Sequence, residues 1–237
     1  MSPDIKPLTL WGGVLGPNPA KVSMILYTLD IPHETIYVPF KEIKNQEYLK
    51  VNPNGRLPTL ADPNTDIKLW ESGAIIEYLI EKYDKNFEIS YEPGTEEYYL
   101  CKQWLHFQMS GQGPYYGQAV WFINLHPEKL QSCIDRYVNE IKRVSAVLNT
   151  HLSANKWLVG NKCTYADLAF IPWQDFSTKV VAPYYDAKAE FPHVQRWLDE
   201  MVNMEPIKKV LEEKERKNLE VFGKKGEDKD NHKDEHE

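Results

Sequence analysis

VNPNGRLPTLADPNTDIKLWESGAI, residues 51–75, holds two short apolar runs, a turn between them and the opening of a helix. The runs are Leu57–Leu60 and Ile67–Trp70, each bounded by turn formers, which reads as a pair of strands. Ala61-Asp62-Pro63-Asn64-Thr65-Asp66 joins them. Ser72–Tyr83 follows, with Ile75, Ile76, Leu79 and Ile80 at helical spacing. Two dipeptides here also bear on function. Pro58 stands at a strand start, where its missing N–H is tolerated. The bond before it is either an ordinary turn bond or a cis bond, and a cis bond would turn the Leu57 N–H and C=O outward for pairing with a peptide. Glu71 and Ser72 place a carboxylate beside a helix-capping hydroxyl. That is either capping alone or a seat for a ligand carrying both –COO⁻ and –NH₃⁺, such as an α-amino acid.

Upstream, Lys6–Trp11 reads as a strand, Lys21–Leu29 as a helix with Val22, Ile25, Leu26 and Leu29 on one side, and Thr35–Val38 as a strand. Between the first two lies Gly16-Pro17-Asn18-Pro19. Asn18 either caps the helix or donates an amide hydrogen bond to an anion or thiolate at the positive end of the helix. Strand–helix–strand, then strand–strand–helix, makes a small α/β layer over residues 1–85.

Downstream, residues 86–95 read as a linker ending in Pro93-Gly94. Strand signals then cease. Thr95 is placed to cap a helix with Glu96 and Glu97 in its first turn. Pro127–Leu152, Asp167–Val181, Val194–Val202 and Ile207–Leu219 read as further helices, so residues 96–222 form an all-helical domain. The fold class expected is α/β plus all-α. Gly223–Glu237 lacks apolar side chains and reads as a disordered charged tail, with His232 and His236 solvated rather than metal-bound.

The chain has 237 residues, 42% apolar and 27% charged, which is a globular balance. Its net charge of −7 leaves no positive footprint for nucleic acid. No apolar run is long enough to span a membrane, and the N-terminus shows no signal pattern, so a cytoplasmic home is expected. Cys101, Cys133 and Cys163 are widely spaced and fit neither a disulfide framework nor a zinc site. G-x-S-x-G, H-E-x-x-H and phosphate-loop motifs are absent.

The turn Gly16-Pro17-Asn18-Pro19, Leu57-Pro58 and Glu71-Ser72, in this order ahead of an all-helical half, closely resemble the soluble glutathione transferases. Thr164-Tyr165-Ala166-Asp167 is similar to the capping box that family keeps in a core helix of its second domain. Residues 5–22 contain no Tyr, Ser or Cys, the usual thiol-activating residues of the family. That absence points to its fungal nitrogen-regulator-like and bacterial nu-type branch, in which an Asn contacts the thiol. Where some members of that branch carry Thr or Ser two residues earlier, this chain has Gly16.

The resemblance implies a thioredoxin-like N-terminal domain, glutathione as co-substrate, no metal and a homodimer. It implies Asn18 as the catalytic residue. For glutathione binding it implies Glu71 for the ammonium, Ser72 for the γ-glutamyl carboxylate, and Leu57 with Pro58 for the cysteinyl backbone. Lys44 would meet the glycine carboxylate, with Arg56 and His33 behind it. Tyr115, Tyr116, Trp121, Phe122 and Trp173 would wall the electrophile site. Gly111, Gly113 and Gly117 are expected to break the helix around Tyr115 and Tyr116. The activity implied is thiolate attack on small electrophiles, as in detoxification, or glutathione-dependent reduction of disulfides or peroxides. The alternative is a non-catalytic protein that binds glutathione or hydrophobic ligands and regulates a partner.

Overall fold

The computed structural model describes residues 5–220, so the charged tail and its two histidines lie outside the described residues. The chain begins β1 (Leu8–Trp11), α1 (Pro17–Thr28), β2 (His33–Ile36), α2 (Gln46–Leu49), β3 (Thr59–Asp62), β4 (Ile67–Trp70) and α3 (Ser72–Tyr83). The sheet order is β2-β1-β3-β4. β1 pairs parallel with β2 and antiparallel with β3, and β3 pairs antiparallel with β4. A parallel pair needs a crossover, and α1 supplies it.

β4 and α3 begin and end at the residues the sequence predicts. Two strands are displaced by two residues. β3 starts at Thr59 because Pro58 has no N–H to donate to the ladder. β2 starts at His33 because its register is set by β1, where Leu8 faces His33 and Trp11 faces Ile36.

The helical half comprises α4 (Glu96–Phe107), α5 (Gly113–Val120), α6 (Gln131–Ala154), α7 (Tyr165–Val181), α8 (Ala187–Glu190), α9 (Pro192–Val202) and α10 (Glu205–Asn218). Thr95 caps α4, accepting from the Tyr98 N–H at 3.3 Å. The glycine-rich stretch does not break the helix. Instead it passes through wide π-helical turns at Gln108–Gln112 and Trp121–Leu125, on either side of α5.

The segment between the halves is anchored. Asp84 is buried and accepts from the Glu88 and Ile89 N–H groups and from Ser90 Oγ. Ile89 O in turn accepts from the Tyr165 N–H at 2.8 Å. One continuous core runs through both halves, from Leu8 and Leu10 to Trp197 and Val210. α1 lies at its centre, with every residue from Pro19 to Leu26 buried.

Between β1 and α1 the chain turns at Gly12 (φ 119°) and Gly13 (φ 60°). A side chain at Gly13 would collide with the Tyr37 ring. Left-handed backbone and close approach both require glycine here. Gly13→Ala is expected to cost about 1–3 kcal/mol. Urea denaturation would measure it, and an unchanged midpoint would show that the turn relaxes freely.

Candidate active site

The turn after β1, the loop before β3 and the start of α3 converge at one end of the sheet. Trp11 pairs with Thr59, and Thr59 with Trp70, so the segments after Trp11, before Thr59 and after Trp70 lie side by side. Ligands of open α/β sheets bind at such chain ends.

The first segment carries Asn18. It is not the helix cap: Gly16 occupies that position, and Asn18 is the second residue of α1. Pro17 and Pro19 lack an N–H, and Ala20 donates to Gly16 O at 3.0 Å. The Asn18 N–H is therefore the remaining backbone donor of the first turn. Its side-chain Oδ1 accepts from Trp173 Nε1 at 3.0 Å, across 155 positions of sequence. Indole can only donate, so this bond fixes the amide with Oδ1 toward Trp173 and its NH₂ turned away. Two donors of one residue, backbone N–H and amide NH₂, are thus left for an anion. No local sequence signal links Asn18 to Trp173.

The second segment is the loop ending in the cis bond Leu57-Pro58. Buried Asn52 and Tyr48 hold it, donating to Arg56 O at 2.8 Å and 2.9 Å. The side chain of Arg56 itself is exposed, as is that of Lys44. Lys44 Nζ donates to Asn54 O at 2.9 Å, which lays its ammonium along the same loop.

The third segment is Glu71-Ser72. Glu71 has φ 73°, a left-handed conformation that a non-glycine residue adopts only under constraint. Its carboxylate is exposed, while Ser72 is buried at the first position of α3. Ser72 Oγ lies 3.7 Å from Met109 Sδ, so the helical half floors this corner.

Two predicted site residues stand elsewhere. His33 opens β2 opposite Leu8, at the far end of the sheet from the cis-proline loop. Its Nδ1 meets Ile31 O at 2.8 Å and its ring takes the edge of Tyr27. The surface depression lined by Tyr27, Asp30 and His33 is therefore also remote from Asn18. Tyr116 is fully buried, its hydroxyl bonded to Gln174 Oε1 at 3.2 Å, so it is a core residue and not a ligand wall.

The aromatic side chain that reaches Asn18 is Trp173. Its indole lies against α5 at Gly113 and Gly117, where an added Cβ would meet the ring at ordinary contact distance, 3.6 Å and 3.4 Å. Trp121 and Phe122 follow α5 and pack on His126, with Phe122 stacked on Tyr137 at 5.6 Å and Tyr115 tilted against the same ring. Burial pushes the Cys101 thiol up to about 12 and Cys163 higher still, so neither is a nucleophile. No cluster of potential metal ligands occurs among the described residues. Nor is any helix among them long and apolar enough to cross a membrane.

A thioredoxin-like layer with a cis-proline loop, joined to a helical domain that seals its chain end, is the architecture of glutathione-binding transferases. The family model for the glutathione S-transferase N-terminal domain matches residues 11–87, and that for the C-terminal domain matches residues 114–206. The chain belongs to this family. It is 50% identical over 218 residues to the glutathione S-transferase-like protein tpcF of Aspergillus fumigatus, covering 88% of this chain and 96% of that relative. It is 47% identical to the glutathione transferase URE2P6 of Phanerochaete chrysosporium, solved with oxidized glutathione, at a TM-score of 0.86 over 91% of this chain and 99% of that one. It is also 31% identical to the transcriptional regulator URE2 of Saccharomyces cerevisiae, covering 86% of this chain and 67% of that protein.

Proposed function

We propose that this protein is a glutathione transferase in which Asn18 stabilises the glutathione thiolate, without a general base. The observation that carries this reading is the Trp173–Asn18 bond, which aims the amide NH₂ away from the indole. Asparagine cannot accept the thiol proton at neutral pH, so its contribution is to lower the thiol pKa by donating to S⁻. The γ-glutamyl ammonium meets Glu71 and its carboxylate meets Ser72 at the start of α3. The cysteinyl backbone pairs with Leu57. The glycine carboxylate lies toward Lys44, with Arg56 beyond it.

The thiolate then attacks either an electrophilic carbon, forming a C–S bond as the leaving group departs, or one sulfur of a disulfide, releasing the other as thiolate. The relative solved with oxidized glutathione supports disulfide exchange as a chemistry for this site. The regulator among the relatives favours a second reading, glutathione binding without turnover.

Titration calorimetry with reduced glutathione, followed by turnover with 1-chloro-2,4-dinitrobenzene and with hydroxyethyl disulfide, separates the readings. Binding with turnover is expected; binding alone would favour the regulatory protein. Asn18→Ala is expected to lower kcat/KM by about 10- to 100-fold, with glutathione affinity within a few-fold. Unchanged turnover would remove Asn18 from the mechanism.

A further inference from the structure

Lys21 is the only charged residue of α1, and it is fully buried. It lies three positions after Asn18, on the same side of the helix. Its Nζ donates to Gln108 Oε1 at 2.6 Å and lies 3.2 Å from Met109 Sδ, the sulfur that Ser72 Oγ also approaches. The amine therefore sits where α1, the start of α3 and the first π-helical turn meet.

Its acceptor cannot swing away. Gln108 Nε2 donates to Gln112 Oε1 at 3.0 Å, and Gln112 Nε2 to Gln174 Oε1 at 3.3 Å. Tyr116 holds that last oxygen from its other side, and all four side chains are buried.

The charges around the amine are few. Glu71, at the start of α3, is the carboxylate whose field reaches it. The π-helical turn offers Gln108 and Met109, both neutral. On α7, Asp175 is turned to Lys179 and Lys214, and Asp167 is enclosed by donors of its own. On α10, Glu213 is held by Tyr27 and Tyr37 at the other end of α1. Burial drives the Lys21 pKa down to about 7, against the pull of Glu71. In the free protein the amine is thus partly charged near neutrality.

We propose that Lys21 is a positioning residue of the glutathione site: it takes up a proton from solvent when the ligand's carboxylate docks at Ser72, and the buried ammonium so formed holds that carboxylate and Glu71 together. The proposal rests on the glutathione reading above. Negative charge brought beside a partly protonated amine favours its charged form, and by linkage the charged form favours the ligand.

The test is calorimetry with S-methylglutathione at pH 7.5 in phosphate and in Tris, buffers of different ionisation enthalpy. The methylated sulfur cannot ionise, so thiol deprotonation makes no contribution. Uptake of roughly half a proton per ligand bound is expected for the wild type. Lys21→Met removes the amine at similar volume, and Lys21→Gln keeps a donor for Gln108 without a titratable nitrogen. Both are expected to bind about threefold more weakly with the uptake lost. The ligand's own ammonium is common to all three proteins and cancels in the comparison. Circular dichroism establishes that each variant is folded, and either one alone suffices for the comparison. Buffer-independent binding by the wild type, or uptake retained in a folded variant, would overturn the role of Lys21. Failure of the wild type to bind would instead overturn the glutathione reading, and the role of Lys21 with it.

Discussion

Asp167→Ala is expected to remove about 3–5 kcal/mol of stability. Asp167 is fully buried at the third position of α7. One carboxylate oxygen accepts from the Leu158 N–H at 2.9 Å and from Trp197 Nε1 at 2.9 Å. The other accepts from the Thr164 N–H at 2.9 Å and from Thr164 Oγ1 at 3.0 Å. One side chain thus ties the start of α7, the segment before it and α9. Burial pushes its carboxyl up, and these four donors pull against that. Alanine would strand all four donors in a dry interior.

Asp167→Asn separates charge from shape. Its oxygen can serve the two donors on one side, but its NH₂ then faces the N–H and hydroxyl of Thr164. A loss between wild type and alanine is expected. Equilibrium unfolding in urea would measure the series, and equal stability of alanine and wild type would show that the box is dispensable. The effect extends to chemistry, because Trp173 lies six residues along α7 and orients Asn18. A frayed α7 should lower turnover before the protein unfolds.

What could be read from the chain alone follows the range of each interaction. β4 and α3 are legible to the residue because turn formers and the apolar period bound them locally, although Ser72 is the first residue of α3 and not its cap. The capping box was legible for the same reason. The start of α6 was not: Pro127 signals a helix, but the chain stays non-helical to Leu130, and the Glu128 N–H bonds back to His126 Nδ1 at 3.1 Å. Glu71-Ser72, Leu57-Pro58 and Asn18 could be found because each lies beside an element boundary. Trp173 could be suspected only as an aromatic, since its partner is supplied by the packing of α7 on α1.

Tyr116 and His33 stand away from the site for a related reason. Which side of α5 faces inward depends on α6 and α7, and which end of β2 faces the site depends on its parallel register with β1. The burial of Lys21 is not legible in the sequence, because a lysine in an apolar helix ordinarily marks the solvent side. α1 has no solvent side along most of its length.

Glu71 offers a substitution that should separate affinity from stability. Its backbone is held at φ 73°, which costs a non-glycine residue about 1–2 kcal/mol. Glu71→Gly removes that strain and adds about 0.5–1 kcal/mol of unfolded-state entropy. Unfolding stability is therefore expected to stay within about 1 kcal/mol of wild type, or to rise. Affinity for reduced glutathione should nevertheless fall about 10- to 100-fold, because the proposed charge-assisted bond to the γ-glutamyl ammonium would be lost. Glu71→Gln keeps the strain and the shape but not the charge, so it should bind as weakly as glycine without the gain in stability. Calorimetry and urea unfolding on the same three proteins give both axes. An unaltered titration in either variant would dismiss Glu71 from the ligand site. A large loss of stability in the glycine variant would mean that the side chain, rather than the ligand, is what the left-handed conformation serves. If the expected pattern holds, residue 71 keeps a backbone conformation that glycine would adopt more easily because the ligand needs a carboxylate at that place.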